Sequence, residues 1–297
     1  MRIGIDFGGT KIEAVALDAD GTVLANRRVA NPGSYDAAID VLADLVIAIE
    51  KDAGREGTVG IGAPGSASPR TGLMRNANST WLNGQTFRED IEARLGRPVR
   101  LANDANCLAL SEARDGAAEG ARVAYAVILG TGCGGGLAVD GRLVEGVGGI
   151  AAEIGHIGLP WAGADEAPGP DCWCGLKGCL ETWISGTGFQ RDHAAVTGRA
   201  LTAPDIVAAA RAGDRAAADS LDRYVDRLAR TLGMVANVVD PDVFVLGGGM
   251  SNVAELYDRL PPLVARYAFS DGWAGRIAPA RWGDASGVRG AARLWAD

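Results

Sequence analysis

The chain has 297 residues, 47% of them apolar and 22% charged, with 29 basic and 37 acidic side chains and a formal net charge of −8. That balance, with no basic run, argues against a nucleic-acid-binding surface, which needs clustered Lys and Arg against phosphate. No apolar run approaches the roughly 18 residues of a membrane span, and the first residues lack the apolar core of a secretory signal, so a cytoplasmic protein long enough for two domains is expected.

In chain order, residues 2–7 read as an apolar strand ending in Gly8-Gly9-Thr10, residues 12–17 as the next strand, and Asp20-Gly21 as a hairpin turn. Residues 36–52 place Ile39, Leu42, Leu45, Val46 and Ile49 on one helical face. Residues 58–62 and 99–102 read as strands, and between them Phe87, Ile91 and Leu95 mark a helix that Gly96 stops. Near residue 130 the opening plan recurs: an apolar run, a glycine turn over 130–136, a continuing strand and an Asp140-Gly141 hairpin. Such a recurrence suggests a duplicated domain. Residues 162–170, rich in Ala and Gly, look like an exposed insertion. Leu221, Tyr224, Val225, Leu228 and Leu232 mark a long helix ending near Asp240-Pro241, and residues 243–246 a strand running into Gly247-Gly248-Gly249. Strands alternating with helices, interrupted by hairpins, predict an α/β protein with mixed sheets. We place a small α/β domain over 1–117, a large one over 118–284, and a C-terminal helix over 285–297 that packs back on the first.

Three glycine turns each end an apolar strand. In Asp6-Phe7-Gly8-Gly9-Thr10-Lys11, turn N–H groups suit phosphate oxygens, Thr10 and Lys11 add a hydroxyl and a charge, and Asp6 suits Mg²⁺. The Walker pattern is absent, and the turn over 130–136 leads to a hairpin instead of a helix, so a Rossmann reading falls away. Taken singly, each turn is an ordinary hairpin. Taken together, two can grip the phosphates of one nucleotide while Gly247-Gly248-Gly249 lets an adenine lie against backbone.

Asn103-Asp104 follows a strand and precedes a helix. An N-cap is the plain reading; in a phosphotransferase the carboxylate would accept the proton of an attacking alcohol while the amide orients it. Asn76-Ala-Asn78-Ser79-Thr80-Trp81 and Ala63-Pro64-Gly65-Ser66 offer amides, hydroxyls and an aromatic face that suit a neutral polyol, or equally a surface loop. Glu153-Ile-Gly-His156 and Cys172-Trp-Cys174-Gly-Leu-Lys-Gly-Cys179-Leu-Glu181 supply one imidazole and three thiols, the ligand set of a closed structural zinc site, with a carboxylate at each flank. Cys107 and Cys133 read as small buried residues.

From the first residue to the last, these motifs resemble the sugar-kinase branch of the repressor/open-reading-frame/kinase (ROK) family. Residues 6–11 look like its first phosphate motif, 129–136 like its second, and 153–156 with 172–181 like its zinc signature. Within it, Asn76-Ala-Asn-Ser-Thr-Trp-Leu-Asn-Gly-Gln85, residues 100–108, 184–189 and 245–252 look like bacterial fructokinases that also accept mannose. The resemblance implies an actin-like ATPase (ribonuclease H-like) fold of two α/β domains around an interdomain cleft. It implies transfer of the ATP γ-phosphoryl group to O6 of D-fructose, with Mg²⁺, a structural Zn²⁺ and a homodimer. Asp104 matches the catalytic base, and Gly65, Asn78, Asn103, Glu153, His156 and Glu181 match sugar contacts. Asp6, Gly8, Gly9, Thr10, Lys11, Thr131, Gly132, Gly134, Gly247 and Gly248 fall in the nucleotide motifs. His156 also serves with Cys172, Cys174 and Cys179 as a zinc ligand. N-acetylglucosamine or glucose is the alternative sugar. A sugar-sensing module without turnover is the alternative class, against which Asp104 and both phosphate motifs argue. The family's repressors carry a winged-helix region before the first phosphate motif; Asp6 leaves no room for one, so DNA binding is not expected.

Overall fold

The computed structural model describes residues 1–295, so the last two residues of the expected C-terminal helix lie outside the described residues. β1 (Arg2–Phe7), β2 (Lys11–Leu17) and β3 (Val23–Ala30) are joined antiparallel; α1 (Tyr35–Ala53) then returns the chain so that β4 (Thr58–Ala63) runs parallel to β1. After a two-stranded ribbon of β5 (Ser66–Ala67) and β6 (Met74–Arg75) come α2 (Phe87–Leu95), β7 (Val99–Asn103) and α3 (Asp104–Asp115). The first sheet has the order β3-β2-β1-β4-β7.

The second sheet repeats this plan strand for strand. β8 (Val123–Leu129), β9 (Cys133–Val139) and β10 (Arg142–Leu143) are antiparallel neighbours. The cysteine-bearing loop, α4 (Glu181–Ile184), α5 (Gly186–Thr197), α6 (Ala203–Arg211) and α7 (Arg215–Val239) precede β11 (Val243–Gly247), which lies parallel to β8. α8 (Glu255–Tyr267), β12 (Arg276–Pro279) and α9 (Ser286–Ala292) follow, and the order is β10-β9-β8-β11-β12. The recurrence expected from the glycine turns is therefore a recurrence of topology. No helix among the described residues is long and apolar enough to cross a membrane.

Nearly every residue of β1, β2 and β4 is buried, so both faces of the first sheet need cover. α1 covers one face with Ile39, Leu42, Leu45, Val46 and Ile49. α9 covers the other, and glycine lets it approach at backbone distance. A Cβ at Gly4 would stand 1.9 Å from the Val288 carbonyl oxygen, and one at Gly60 2.0 Å from that of Ala291. On its far side α9 meets α3, where a Cβ at Gly290 would stand 1.8 Å from the Cys107 carbonyl oxygen.

The insertion before the cysteines is exposed along most of residues 162–170, as expected, yet it is anchored. Glu166 accepts hydrogen bonds from Arg227 (2.8 Å) and Arg230 (2.7 and 2.8 Å) of α7. Burial alone would raise the Glu166 pKa; the two guanidinium groups outweigh it and bring it down to about 2.

The α9 contact gives a direct test. On helix propensity alone, Gly290→Ala would stabilise the protein by about 1 kcal/mol. Against the Cys107 carbonyl we expect the reverse, a loss of about 1–3 kcal/mol or more from overpacking, read as a lower midpoint in urea. An unchanged or raised midpoint would contradict this packing.

Candidate active site

A cleft of about 620 Å³ opens where the chain leaves the carboxyl ends of β4, β7 and β8, the usual place for a ligand in an α/β sheet. Gly65, with φ of +76°, packs against the backbone of Arg75 and Ala77, and its carbonyl accepts a hydrogen bond from Asn103 Nδ2 (3.1 Å). Asn103 Oδ1 in turn accepts from the Ala105 N–H (2.9 Å) and caps α3. The cap is therefore Asn103, and Asp104 stands in the first turn with its Oδ1 2.8 Å from the same N–H. Burial pushes the Asp104 pKa up, against the opposing pull of that backbone hydrogen bond.

Across the cleft lies the turn between β8 and β9. The Gly130 N–H donates to the Gly132 carbonyl (3.0 Å), while Gly186 N–H (2.7 Å) and Thr187 Oγ1 (2.6 Å) brace it at the Gly130 and Thr131 carbonyls. Gly248, with φ of +79°, backs this turn: a Cβ there would fall 2.7 Å from the Leu129 carbonyl. Gly247 packs likewise on Leu108.

Gly65, Asn78, Asn103, Asp104, Glu153, His156 and Glu181 all line the cleft, with Thr131, Gly132 and Gly134 facing them. The other expected nucleotide residues are outside its lining. Gly247 and Gly248 lie behind the second turn. Asp6, Gly8, Gly9, Thr10 and Lys11 form the β1–β2 turn, closed by the Gly8 N–H to the Lys11 carbonyl (3.0 Å); a Cβ at Gly9 would be 3.7 Å from Ser79 Oγ, beside Asn78. Arg191, Thr187 and Trp173 line the cleft without having been singled out. Trp173 had a signal, since it sits between two thiols. Arg191 had none, because its place depends on how α5 packs.

His156, Cys172, Cys174 and Cys179 bring their ligand atoms within 4.8 Å of one another. Cys172 Sγ is 3.5 Å from His156 Nδ1, and Cys174 Sγ is 3.6 Å from Cys179 Sγ. Ligands about 2.0–2.3 Å from a tetrahedral zinc would have about this spacing, so the four residues fit the ion. Nδ1 faces the thiols, which leaves Nε2 as the nitrogen a cleft ligand can meet. Glu181 ties the loop to the turn between β8 and β9: Oε2 accepts from Cys133 N–H (3.0 Å) and Oε1 from Trp173 Nε1 (2.7 Å). Burial also raises the pKa of Glu153, which is held by the Gly155 N–H at 3.1 Å.

At the end of β1, burial and the charges of Asp104 and Glu13 push the Asp6 pKa up to about 6, with Lys11 opposing. A folded value above the unfolded one means that the ionised carboxylate costs stability, by about 3 kcal/mol at pH above 6. The cost fades as pH falls from about 6 towards 3.8. Asp6→Asn should therefore raise the Tm of the ligand-free, Mg²⁺-free protein at pH 8, with the gain shrinking at pH 5, while turnover is lost. A Tm gain independent of pH would contradict the assignment.

Comparison with known proteins bears on this arrangement. The ROK family model matches residues 2–297. N-acetyl-D-glucosamine kinases of Photobacterium profundum and Pectobacterium atrosepticum are 41% and 42% identical, over 99% of this chain and 99% and 98% of theirs. Among solved structures, a ROK hexokinase from Thermus thermophilus is 33% identical with a TM-score of 0.87, over 98% of this chain and 96% of the other. A ROK glucokinase from Streptomyces griseus in complex with glucose and AMPPNP is 30% identical with a TM-score of 0.80, over 99% and 98%. Two mixed sheets of one topology, a cleft at their strand ends and likeness along the whole chain agree: the protein belongs to the ROK family, as a relative of its sugar kinases.

Proposed function

We propose that the protein is an ATP-dependent kinase that phosphorylates the 6-hydroxyl of a hexose, with N-acetyl-D-glucosamine as its first sugar. The observation that carries the phosphotransfer reading is Asp104: a half-buried carboxyl group with a raised pKa, fixed at the start of α3, lining one cleft with amides, carboxylates and a glycine turn. The sugar follows the names of the relatives that match the full chain. This departs from the fructose expected from residues 76–85. Fructose, with mannose, stays as a second reading because Asn76 and Asn78 of that phrase line the cleft, and Asn83 bridges the Ala77 N–H and carbonyl to hold the loop there. Residues 1–117 with the C-terminal helix would form one domain and 118–284 the other. A homodimer belongs to the same reading.

In this account Asp104 accepts the proton of O6 as it attacks the γ-phosphoryl group, and the raised pKa makes it the better base. Asn103, fixed through Gly65 and Ala105, orients the alcohol. Glu153, His156 Nε2, Glu181 and Asn78 hold ring hydroxyls, and their unpaired burial with a wrong sugar is the basis of discrimination. The transition state is loose, so positioning and charge carry the rate. The N–H groups of Gly9, Thr10, Thr131 and Gly132, which the turns leave unused, and the Lys11 ammonium would face the phosphates, and the Gly247-Gly248 turn would border the nucleoside. Asp6 would hold Mg²⁺, which supplies charge neutralisation on the phosphates when bound. His156, Cys172, Cys174 and Cys179 would hold zinc, which with four protein ligands is structural.

A coupled ATP-consumption assay over N-acetylglucosamine, fructose, mannose and glucose tests the reading. We expect the highest kcat/KM with N-acetylglucosamine; fructose in that place selects the second reading, and zero turnover on all four sinks both and favours a sensor. On the preferred sugar, Asp104→Asn should lower kcat by about 10²–10⁴-fold with little change in KM. Near wild-type turnover would leave Asp104 as part of a helix start. Cys174→Ser should lower zinc content and Tm together, because binding the ion is coupled to folding of its loop; full stability in a zinc-free protein would defeat the structural role.

A further inference from the structure

A second cleft, of about 410 Å³, lies away from the first, and five arginines line it: Arg88 of α2, Arg100 of β7, Arg114 of α3, Arg142 of β10 and Arg293 just after α9. Glu145 is its one acidic lining residue among those described. For a chain of net charge −8 this is a local reversal of sign. Part of the cationic charge is matched: Arg88 pairs with Glu89, Arg293 with Asp115, and Arg100 reaches the Leu294 carbonyl and stacks on Trp295. Arg114 and Arg142 have no ion pair among the described residues. The Nε atoms of Arg114 and Arg293 are buried without a hydrogen-bond partner, which is costly for a guanidinium unless something else accepts from it. Burial, opposed by Asp115 and reinforced by Arg289, Arg2 and Arg114, draws the Arg293 pKa down. The group is short of negative charge.

We propose that this arginine cleft is a second binding site, for a small phosphate-bearing molecule, and that its occupancy is coupled to the catalytic cleft. Guanidinium forks match phosphate oxygens in pairs, and the volume lies in the range of small-molecule sites. The position supplies the coupling. β7 and α3 carry Asn103 and Asp104 at one end and Arg100 and Arg114 towards the other, about 15 Å along the helix. Arg88, Arg100 and Arg114 come from elements before the second sheet and Arg142 from its edge strand, so one anion held by all of them ties β10 to the elements that carry the base. By linkage, whatever the ligand does to sugar affinity, the sugar does to ligand affinity.

Calorimetric titration tests the site in the presence of saturating sugar and AMPPNP, which fill the first cleft, with pyrophosphate and N-acetylglucosamine 6-phosphate as probes. We expect one binding event, weakened tenfold or more in Arg114→Gln/Arg142→Gln and measurably in Arg142→Gln alone, with kcat and KM unchanged when no probe is present. The tighter probe tells a polyphosphate from a phosphorylated sugar. The control Arg70→Gln/Arg122→Gln removes the same charge from exposed positions outside the cleft. No binding by the wild type, or equal weakening by the control, would overturn the proposal. The readout is binding, so it fails separately from the kinase assay.

Discussion

One buried carboxylate ties together the segments through which the chain passes between the two sheets. Glu112, near the end of α3, is fully buried. Its Oε2 accepts from the N–H groups of Ala117 (2.7 Å) and Arg281 (2.9 Å), and its Oε1 from Ser286 Oγ (2.8 Å) and the Trp282 N–H (3.4 Å). Those partners belong to the segment leading into the second sheet, the segment leaving it, and the first residue of α9. Both crossings of the chain between the sheets are thus satisfied by one side chain, whose lone pairs are all in use. A buried acceptor shared among four donors permits little slack, because losing any of them leaves a polar group without water.

The same helix begins at the chemistry. α3 starts with Asp104 and ends beside Glu112, and it is packed to backbone distance on both sides. Gly136 of β9 admits the Ala105 carbonyl and Gly290 of α9 admits that of Cys107, each at a separation no Cβ would tolerate. Asp104, the base proposed above, is therefore placed by the sheets themselves. The opposite side of the cleft is placed differently. There a loop with little regular structure carries His156 and runs into Glu181 at the start of α4, held by the thiol–imidazole cluster, by Trp173 and by the Arg227–Glu166–Arg230 clamp. Glu181 joins the two systems, since its carboxylate receives the Cys133 N–H of the β8–β9 turn as well as the Trp173 indole.

What could be read in the sequence was what is local in it. Strand and helix periods, the Gly96 stop, the thiol spacing and the glycine turns all lie within short windows, and the elements found match them within a residue or two, except that β9 begins at Cys133, so the expected turn over 130–136 is a turn only to residue 132 and its last glycines pair in the sheet. The repeat could be read from its turns. Long-range effects were hidden. The clamp joins residues more than sixty positions apart, the raised pKa of Asp6 depends on Asp104, and Gly4, Gly60 and Gly290 belong to no motif. Asn103 and Asp104 could each have been the cap; both meet the Ala105 N–H, and the extended backbone of Asn103 ahead of the first helical residue, Asp104, decides for Asn103. The sugar was the least legible. Short phrases pointed to fructose and whole-chain likeness points to N-acetylglucosamine, because the choice depends on where hydroxyl partners stand, not on which residue types are present.

On the proposed function, a loop pinned by His156 and three cysteines would hold the sugar so that its O6 reaches Asp104 at the start of α3. A crystal structure with the preferred sugar and AMPPNP tests it most directly. O6 should stand within hydrogen-bond distance of the Asp104 carboxylate, about 2.6–3.2 Å, with His156 Nε2 and Glu181 on ring hydroxyls. A sugar bound with O6 turned away from Asp104, or seated without His156 and Glu181, would contradict it.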